Sequence, residues 1–371
     1  MTNEEIRVEL GERSYPVHVG DGILQSLSSL LTAHGHSNNV MVITDRNVAG
    51  LYLIALRRQL REGGFTIEVA IVPPGERQKS LAAASRIYTR MLQKPIDRAA
   101  TVIALGGGVI GDLAGFVAAT YHRGINLVQV PTTLLAQVDS AVGGKTAVNH
   151  PLGKNTIGVF YQPKFVLADI GTLRTLPRRE IFCGLGEVVK YGVILDESLF
   201  SSMESNLDEV IALDPNTIRS VVSRCISLKA ALVSKDERES GERIILNCGH
   251  TVGHALEAAG NFRLFKHGEA VLLGLAAEST ISARMGLLAS AAHERITALI
   301  ERIPLKIRTH AIRMSDVLSM IPRDKKSLHG KNRFVLPVRI GETKVVEGVP
   351  SSLIKEALTS AQQIQFRTVR A

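Results

Sequence analysis

The chain has 371 residues, 45% apolar and 21% charged, an ordinary globular composition that excludes a disordered or low-complexity chain. At roughly 150 residues per domain, this length predicts two domains. The net charge of +9 comes with 4% aromatics, no Trp and no block of five basic residues. That balance favours attraction of anionic metabolites over nucleic acid, because single-strand binders stack bases on aromatic platforms.

The longest apolar run, Ala270 to Ala277, stops at Glu278, well short of the roughly 18 residues a membrane span requires. The opening MTNEEIRVEL is acidic and has no apolar signal core, so no secretory leader is expected. Cys183, Cys225 and Cys248 are odd in number and form no C-x-x-C pair, which suits a reducing compartment. A cytoplasmic protein is the expectation.

In chain order, EIRVEL and RSYPVHVG read as a two-stranded edge ribbon. Short β-branched runs follow at Val40–Thr44, Phe65–Val72, Thr101–Leu105 and Leu127–Val130, separated by helical stretches Val48–Gly63 and Ser80–Gln93. Strand–helix–strand alternation predicts a largely parallel sheet covered by helices. Past Pro177 the texture becomes helical, at Glu180–Leu195, Asn216–Ser234, His250–Gly260 and Gly268–Met285. One late hairpin is predicted from Phe334–Val338 and Thr343–Val346, followed by a helix from Ser351. The expected architecture is an α/β Rossmann-like dinucleotide-binding domain over residues 1–177, then a mainly α-helical metal- and substrate-binding domain over 178–371. The site is expected where the domains meet.

Thr101–Leu105 runs into Gly106-Gly107-Gly108-Val109-Ile110-Gly111-Asp112, a G-x-G-x-x-G in strand-to-helix context, where amides and helix dipole hold a pyrophosphate. The acid expected about 20 residues later is absent; Asn126 and Leu127 stand there. Asp45, ending an earlier strand, is the alternative ribose partner. The GGKT at Gly143–Thr146 resembles the tail of a phosphate loop, but Asp139 stands where the full motif needs Gly, which disfavours a nucleotide triphosphatase. Lys145 and Lys154 beside glycines read as an anion clamp.

In NCGHTVGHALE, His250 and His254 stand at i and i+4 on one helix face, a common zinc spacing, and His267 and Glu187 are further candidates. Thr251 replaces the Glu of H-E-x-x-H, so the metalloprotease reading fails.

In order, GGGVIGDLAGFVAATYHRG, PTTLLAQVDSAVGGKTAVNHPLGKNTIGVFYQP, GEVVKYG, RIILNCGHTVGHALE, KHGEAV and DKK with RFVLP resemble the 3-dehydroquinate synthase family. The resemblance spans roughly Val40 to Pro337. Cys248, Gly186 and Pro74 depart from the family's usual Phe, Ala and Asp, and none stands at a position the resemblance gives to metal, NAD or substrate.

The resemblance implies zinc or cobalt held by Glu187, His250 and His267, with His254 given to the substrate. It implies NAD held by Asp45, Asn47, Glu76, Lys79, Gly107, Gly108, Val109, Ile110, Gly111, Asp112, Thr132, Thr133, Asp139, Lys145, Lys154, Thr172, Leu173, Arg174 and Thr175. For substrate it implies Arg123, Lys145, Asn155, Lys190, Lys229, Arg243, Asn247, His254 and a lysine of the pair Lys325 and Lys326. Arg123 would reach across a homodimer. The implied reaction converts 3-deoxy-D-arabino-heptulosonate 7-phosphate to 3-dehydroquinate and phosphate. The alternatives are another sugar phosphate cyclase, resembling 2-deoxy-scyllo-inosose synthase, or a metal-dependent polyol dehydrogenase.

Overall fold

In the computed structural model, described over residues 4–307, 312–321 and 332–367, the chain divides at Leu176/Pro177 into two compact units. The first unit is built on β1 (Glu4–Val8), β2 (Tyr15–Gly20), β3 (Asn39–Asp45), β4 (Thr66–Val72), β5 (Thr101–Gly106), β6 (Asn126–Pro131) and β9 (Phe165–Asp169). These form one sheet in the order β1-β2-β9-β6-β5-β3-β4, parallel throughout except for the edge pair β1–β2. A separate antiparallel hairpin joins β7 (Lys145–His150) to β8 (Gly153–Phe160).

Helices α1 (Leu27–Ala33), α2 (Arg46–Val48), α3 (Ile54–Glu62), α4 (Leu81–Leu92) and α5 (Gly108–Thr120) accompany the sheet. Alternate side chains along a strand point to opposite faces, and here both faces are covered. Met41, Ile43, Val102 and Ala104 pack with Ala84, Ile87, Leu113 and Val117 of α4 and α5. Val40, Val42, Ile103 and Leu105 pack on the other side with Leu27, Leu31, Leu56 and Leu60 of α1 and α3. That is why these strands read as continuous apolar runs.

The second unit holds α6 (Arg178–Leu195) and α7 (Glu197–Ala212). The next helix, α8 (Pro215–Lys235), groups with the first unit from Ile218 on, through Arg238. Its anchors are specific: Ser234 Oγ accepts from the Glu9 amide at 2.9 Å, and just beyond the helix Glu237 pairs with Arg13 at 2.8 Å. A single cut at residue 177 therefore misses this segment, because helical periodicity does not say which sheet a helix packs on.

The second unit continues with α9 (His250–Ala259), α10 (His267–Arg284), α11 (Ser290–Glu301), α12 (Met314–Met320), the hairpin β10 (Arg333–Arg339) and β11 (Glu342–Glu347), and α13 (Ser351–Gln362). Helix α10 is buried at every position from Gly268 to Ser282, the property of a central helix. Its Leu273, Ala277 and Ile281 pack with Val252 and Leu256 of α9, Phe334 and Leu336 of β10, and Ile354 and Leu358 of α13. Among the described residues, no helix is long and apolar enough to cross a membrane.

Candidate active site

In the first unit the predicted cofactor residues gather at the carboxyl ends of the parallel strands, where open α/β sheets bind ligands. Gly106 ends β5 opposite Pro131, which ends β6. Gly107 caps α5, and a methyl group there would meet Thr133 Cγ2 at 2.9 Å, so the loop tolerates no side chain. A bare loop feeding a helix N-terminus fits a pyrophosphate, and Val109 to Gly111 carry the helix onward. Asp112 on that helix pairs with the buried Lys79. Burial raises the Asp112 carboxyl above its usual range, opposed by Lys79.

Asp45 ends β3, and its Oδ1 accepts from the amides of Asn47 (2.8 Å) and Val48 (3.2 Å), capping α2. Glu76 Oε1 accepts from Asn149 at 2.8 Å, and Asn149 Oδ1 accepts from the Asn155 amide at 2.9 Å, so PGERQK is tied to the β7–β8 hairpin. Lys145, Lys154 and Asn155 lie on that hairpin. Thr132 follows β6 with its amide on the Gly106 carbonyl at 3.0 Å, and is buried. Asp139 receives Lys229 at 2.6 Å through Oδ1, which places Lys229 of α8 in the first unit. Thr172, Leu173, Arg174 and Thr175 form a turn after β9, where Gln137 donates to Thr172 Oγ1 at 3.2 Å and Arg174 pairs with Asp21 at 2.5 Å. Arg123 stands exposed in a turn with φ of +66°. Lys325 and Lys326 lie outside the described residues.

In the second unit three helices converge. Glu187 is fully buried near the middle of α6, and His250 and His267 each open a helix. The αL conformation of Gly249 (φ +78°) starts α9, and a side chain there would meet Leu275 Cγ at 2.8 Å. His250 Nε2 and His267 Nε2 lie 3.6 and 3.5 Å from Glu187 Oε1. The ligand atoms of these three residues all fall within 4.8 Å of one another. One carboxylate and two imidazoles suit zinc or cobalt, and three protein ligands leave a position for substrate. Lys190, one turn along α6 and only 2% exposed, is salt-bridged to Glu187 Oε2.

The i, i+4 partner of His250 is also close: the His254 ring centroid is 5.3 Å from His250 and 6.2 Å from His267. His254, Glu257 and His267 make a second group within 4.8 Å, but the group that contains Glu187 omits His254. Burial alone would lower the His267 pKa; the carboxylates of Glu187 and Glu257 reverse this and raise it to about 9. Arg243 is 1% exposed and Asn247 donates to Glu239 at 3.5 Å, both on the turn leading into α9.

Two residues escaped the motif reading. Glu257 holds His267 Nδ1 at 3.2 Å, and Glu278 of α10 accepts from the Gly249 amide at 2.5 Å and from the Val252 amide at 3.3 Å, capping α9, which carries His250 and His254. Their only sequence signal was an acid inside an otherwise apolar helix.

A structure of 2-deoxy-scyllo-inosose synthase in complex with carbaglucose-6-phosphate, NAD+ and Co2+ is 27% identical, with TM-score 0.87 over 97% of this chain and 100% of that one. A 2-epi-5-epi-valiolone synthase from Streptomyces hygroscopicus subsp. jinggangensis with NAD+ and Zn2+ is 26% identical, with TM-score 0.85 over 95% and 98%. A glycerol dehydrogenase from Schizosaccharomyces pombe, 15% identical at TM-score 0.66 over 95% and 93%, shares the fold alone. The family models for the 3-dehydroquinate synthase N-terminal and C-terminal regions match residues 69–183 and 184–327, more than two thirds of the sequence. With sugar phosphate cyclases as its structural relatives, the chain belongs to the 3-dehydroquinate synthase family.

Proposed function

We propose that the protein is a 3-dehydroquinate synthase, converting 3-deoxy-D-arabino-heptulosonate 7-phosphate to 3-dehydroquinate and phosphate. The observation that carries this reading is the buried Glu187–His250–His267 group with Lys190 against it, in a chain of this family. Bound NAD+ would supply a transient hydride acceptor, and an ion on the three ligands a Lewis acid for substrate hydroxyls. The hydride is returned within the cycle, so the net change is loss of phosphate with ring closure.

The chain's own groups supply charge and geometry. Lys145, Asn155 and Arg123 suit the phosphate, with Arg123 contributed across a homodimer. Arg243 suits the carboxylate, whose two oxygens match the guanidinium fork. Lys190 and His254 stand beside the ligand group, where they can hold or pass protons at substrate oxygens. Asp139, by holding Lys229, and Lys79, by pairing Asp112, organise the cofactor end. Action in the cytoplasm belongs to the same reading.

A cyclase acting on glucose 6-phosphate has no carboxylate to match the Arg243 guanidinium. The test is phosphate release from the heptulosonate phosphate with NAD+ and Zn2+ or Co2+, with and without chelator. Chelator-sensitive release, dehydroquinate as product and no net NADH are expected. Turnover of glucose 6-phosphate alone would move the assignment to that cyclase class, and net NADH from a polyol would move it to a dehydrogenase.

A further inference from the structure

His250 and His267 approach Glu187 through the same ring nitrogen, Nε2. In both rings the other nitrogen is held by an oxygen. His250 Nδ1 lies 3.1 Å from the Cys248 carbonyl, and His267 Nδ1 lies 3.2 Å from Glu257 Oε2. A carbonyl oxygen only accepts, so the neutral His250 ring carries its proton on Nδ1 and turns the Nε2 lone pair toward Glu187. With an ion on Nε2, the ionised Glu257 carboxylate keeps the remaining proton of His267 on Nδ1. For His250 the acceptor is backbone and comes with the fold. For His267 it is a side chain, Glu257, 3% exposed on α9 one turn beyond His254.

We propose that Glu257 is a positioning residue: it accepts the His267 Nδ1–H, fixes the ring's tautomer and plane, and so holds Nε2 as a metal ligand beside Glu187 and His250. This rests on the reading above that those three residues bind the divalent ion. Ligating histidines characteristically donate their second N–H to a carboxylate or carbonyl, and losing that acceptor costs about 10–100-fold in metal affinity. The competing use of the same atoms is the group His254, Glu257 and His267, in which Glu257 would itself be a ligand. If Nε2 holds the ion beside Glu187, a second ion on Nδ1 would require both ring nitrogens of His267 to be stripped of protons. The hydrogen bond needs no such step.

The experiment is a Co2+ titration of the metal-free full-length protein in competition with a chromophoric chelator, recording stoichiometry, Kd and the visible spectrum of bound cobalt. Wild type is expected to take one equivalent. Glu257→Ala is expected to bind about 10–100-fold more weakly with shifted cobalt bands. Glu257→Gln, whose amide oxygen still accepts a hydrogen bond, is expected to fall between, with circular dichroism and Tm of the metal-free protein close to wild type. Should Glu257→Ala fail to fold, the weakened affinity and altered spectrum of Glu257→Gln decide the matter.

Wild-type affinity and spectrum in the folded Glu257 variants would overturn the proposal. So would two equivalents in wild type of which Glu257→Ala loses one, since Glu257 would then be a ligand. Glu187→Gln separates the two levels: if it binds cobalt like wild type, the metal-site reading falls and this proposal with it. If it loses the ion while the Glu257 variants keep it unchanged, only the role of Glu257 falls.

Discussion

Gly268 packs against the backbone of Cys183 so closely that a methyl group on it would lie 1.7 Å from the Cys183 carbonyl oxygen. Gly186 meets the same stretch from the other side, where a methyl group would lie 2.5 Å from the Gly268 carbonyl oxygen. The sequence neighbours of these two glycines are Glu187 and His267. Close approach of α6 and α10, possible only without side chains, therefore sets the 3.5 Å between those functional atoms. Gly268→Ala is expected to cost about 3 kcal/mol or more and to weaken Co2+ binding, while Gly186→Ala should cost about 1–2 kcal/mol, as overpacking in a tight core does. Thermal unfolding and cobalt titration check both, and an unperturbed Gly268→Ala protein would refute the packing argument.

The Glu187–Lys190 pair is almost wholly excluded from water. Removing one partner of a buried ion pair leaves the other charge uncompensated, at a cost of about 3–5 kcal/mol. Lys190→Met should show that loss in urea unfolding of the metal-free protein, and much less once Zn2+ is added, because the cation then compensates Glu187. Turnover should be lost in either case. Equal destabilisation with and without zinc would argue against Glu187 as a ligand.

Arg243 offers a test of substrate class. Arg243→Lys keeps the charge and loses the planar fork, so KM for the keto acid phosphate should rise about tenfold or more, near 1.4 kcal/mol, with kcat less affected. Steady-state kinetics decide it. An unchanged KM would remove the carboxylate from this residue.

Acid stability should be governed in part by the first unit. His36 donates to or accepts from Thr101 Oγ1 at 2.9 Å, and His34 stacks on Phe165 with centroids 5.1 Å apart. Burial, then the neighbouring His34 and Lys164, lower the His36 pKa from 6.5 to about 4. Burial also lowers His18, with Glu5 opposing and His34 assisting. Because the folded-state values lie below the unfolded ones, the unfolded chain binds protons first. Stability is therefore complete above about pH 6.5 and is lost as pH falls toward 4. For the partly exposed His36 this amounts to about 1–2 kcal/mol after solvent screening. Denaturant unfolding across that range should show the slope in wild type and a shallower one in His36→Gln; identical slopes would discard the mechanism.

Much of this protein was readable locally. Strands β3, β5 and β6 announce themselves as apolar runs because both faces of a parallel sheet are buried, and G-G-G-V-I-G-D marks the strand-to-helix turn on its own. The family's motif blocks also point to Glu187, His250 and His267 before any coordinates are seen. Other features have no local signature. Strand β9 is five residues between a loop and a turn, and becomes a strand by inserting between β2 and β6. The stretch that forms β7 and β8 mixes polar residues and two glycines with scattered apolar ones in no clear alternation, and antiparallel pairing makes it a hairpin.

Around Glu187, His250 and His267, spacing on one helix put His250 and His254 together, and their rings are neighbours. Which histidine joins Glu187 depends on α6 and α10 meeting at Gly186 and Gly268 and on α9 meeting α10 at Gly253 and Gly274. Which nitrogen each ring presents depends on acceptors, Cys248 and Glu257, that matter only once the rings are in place. Sequence patterns record each element's own periodicity and chemistry. Coordination distances and tautomers are set by contacts between elements, and only the folded chain brings those contacts into being.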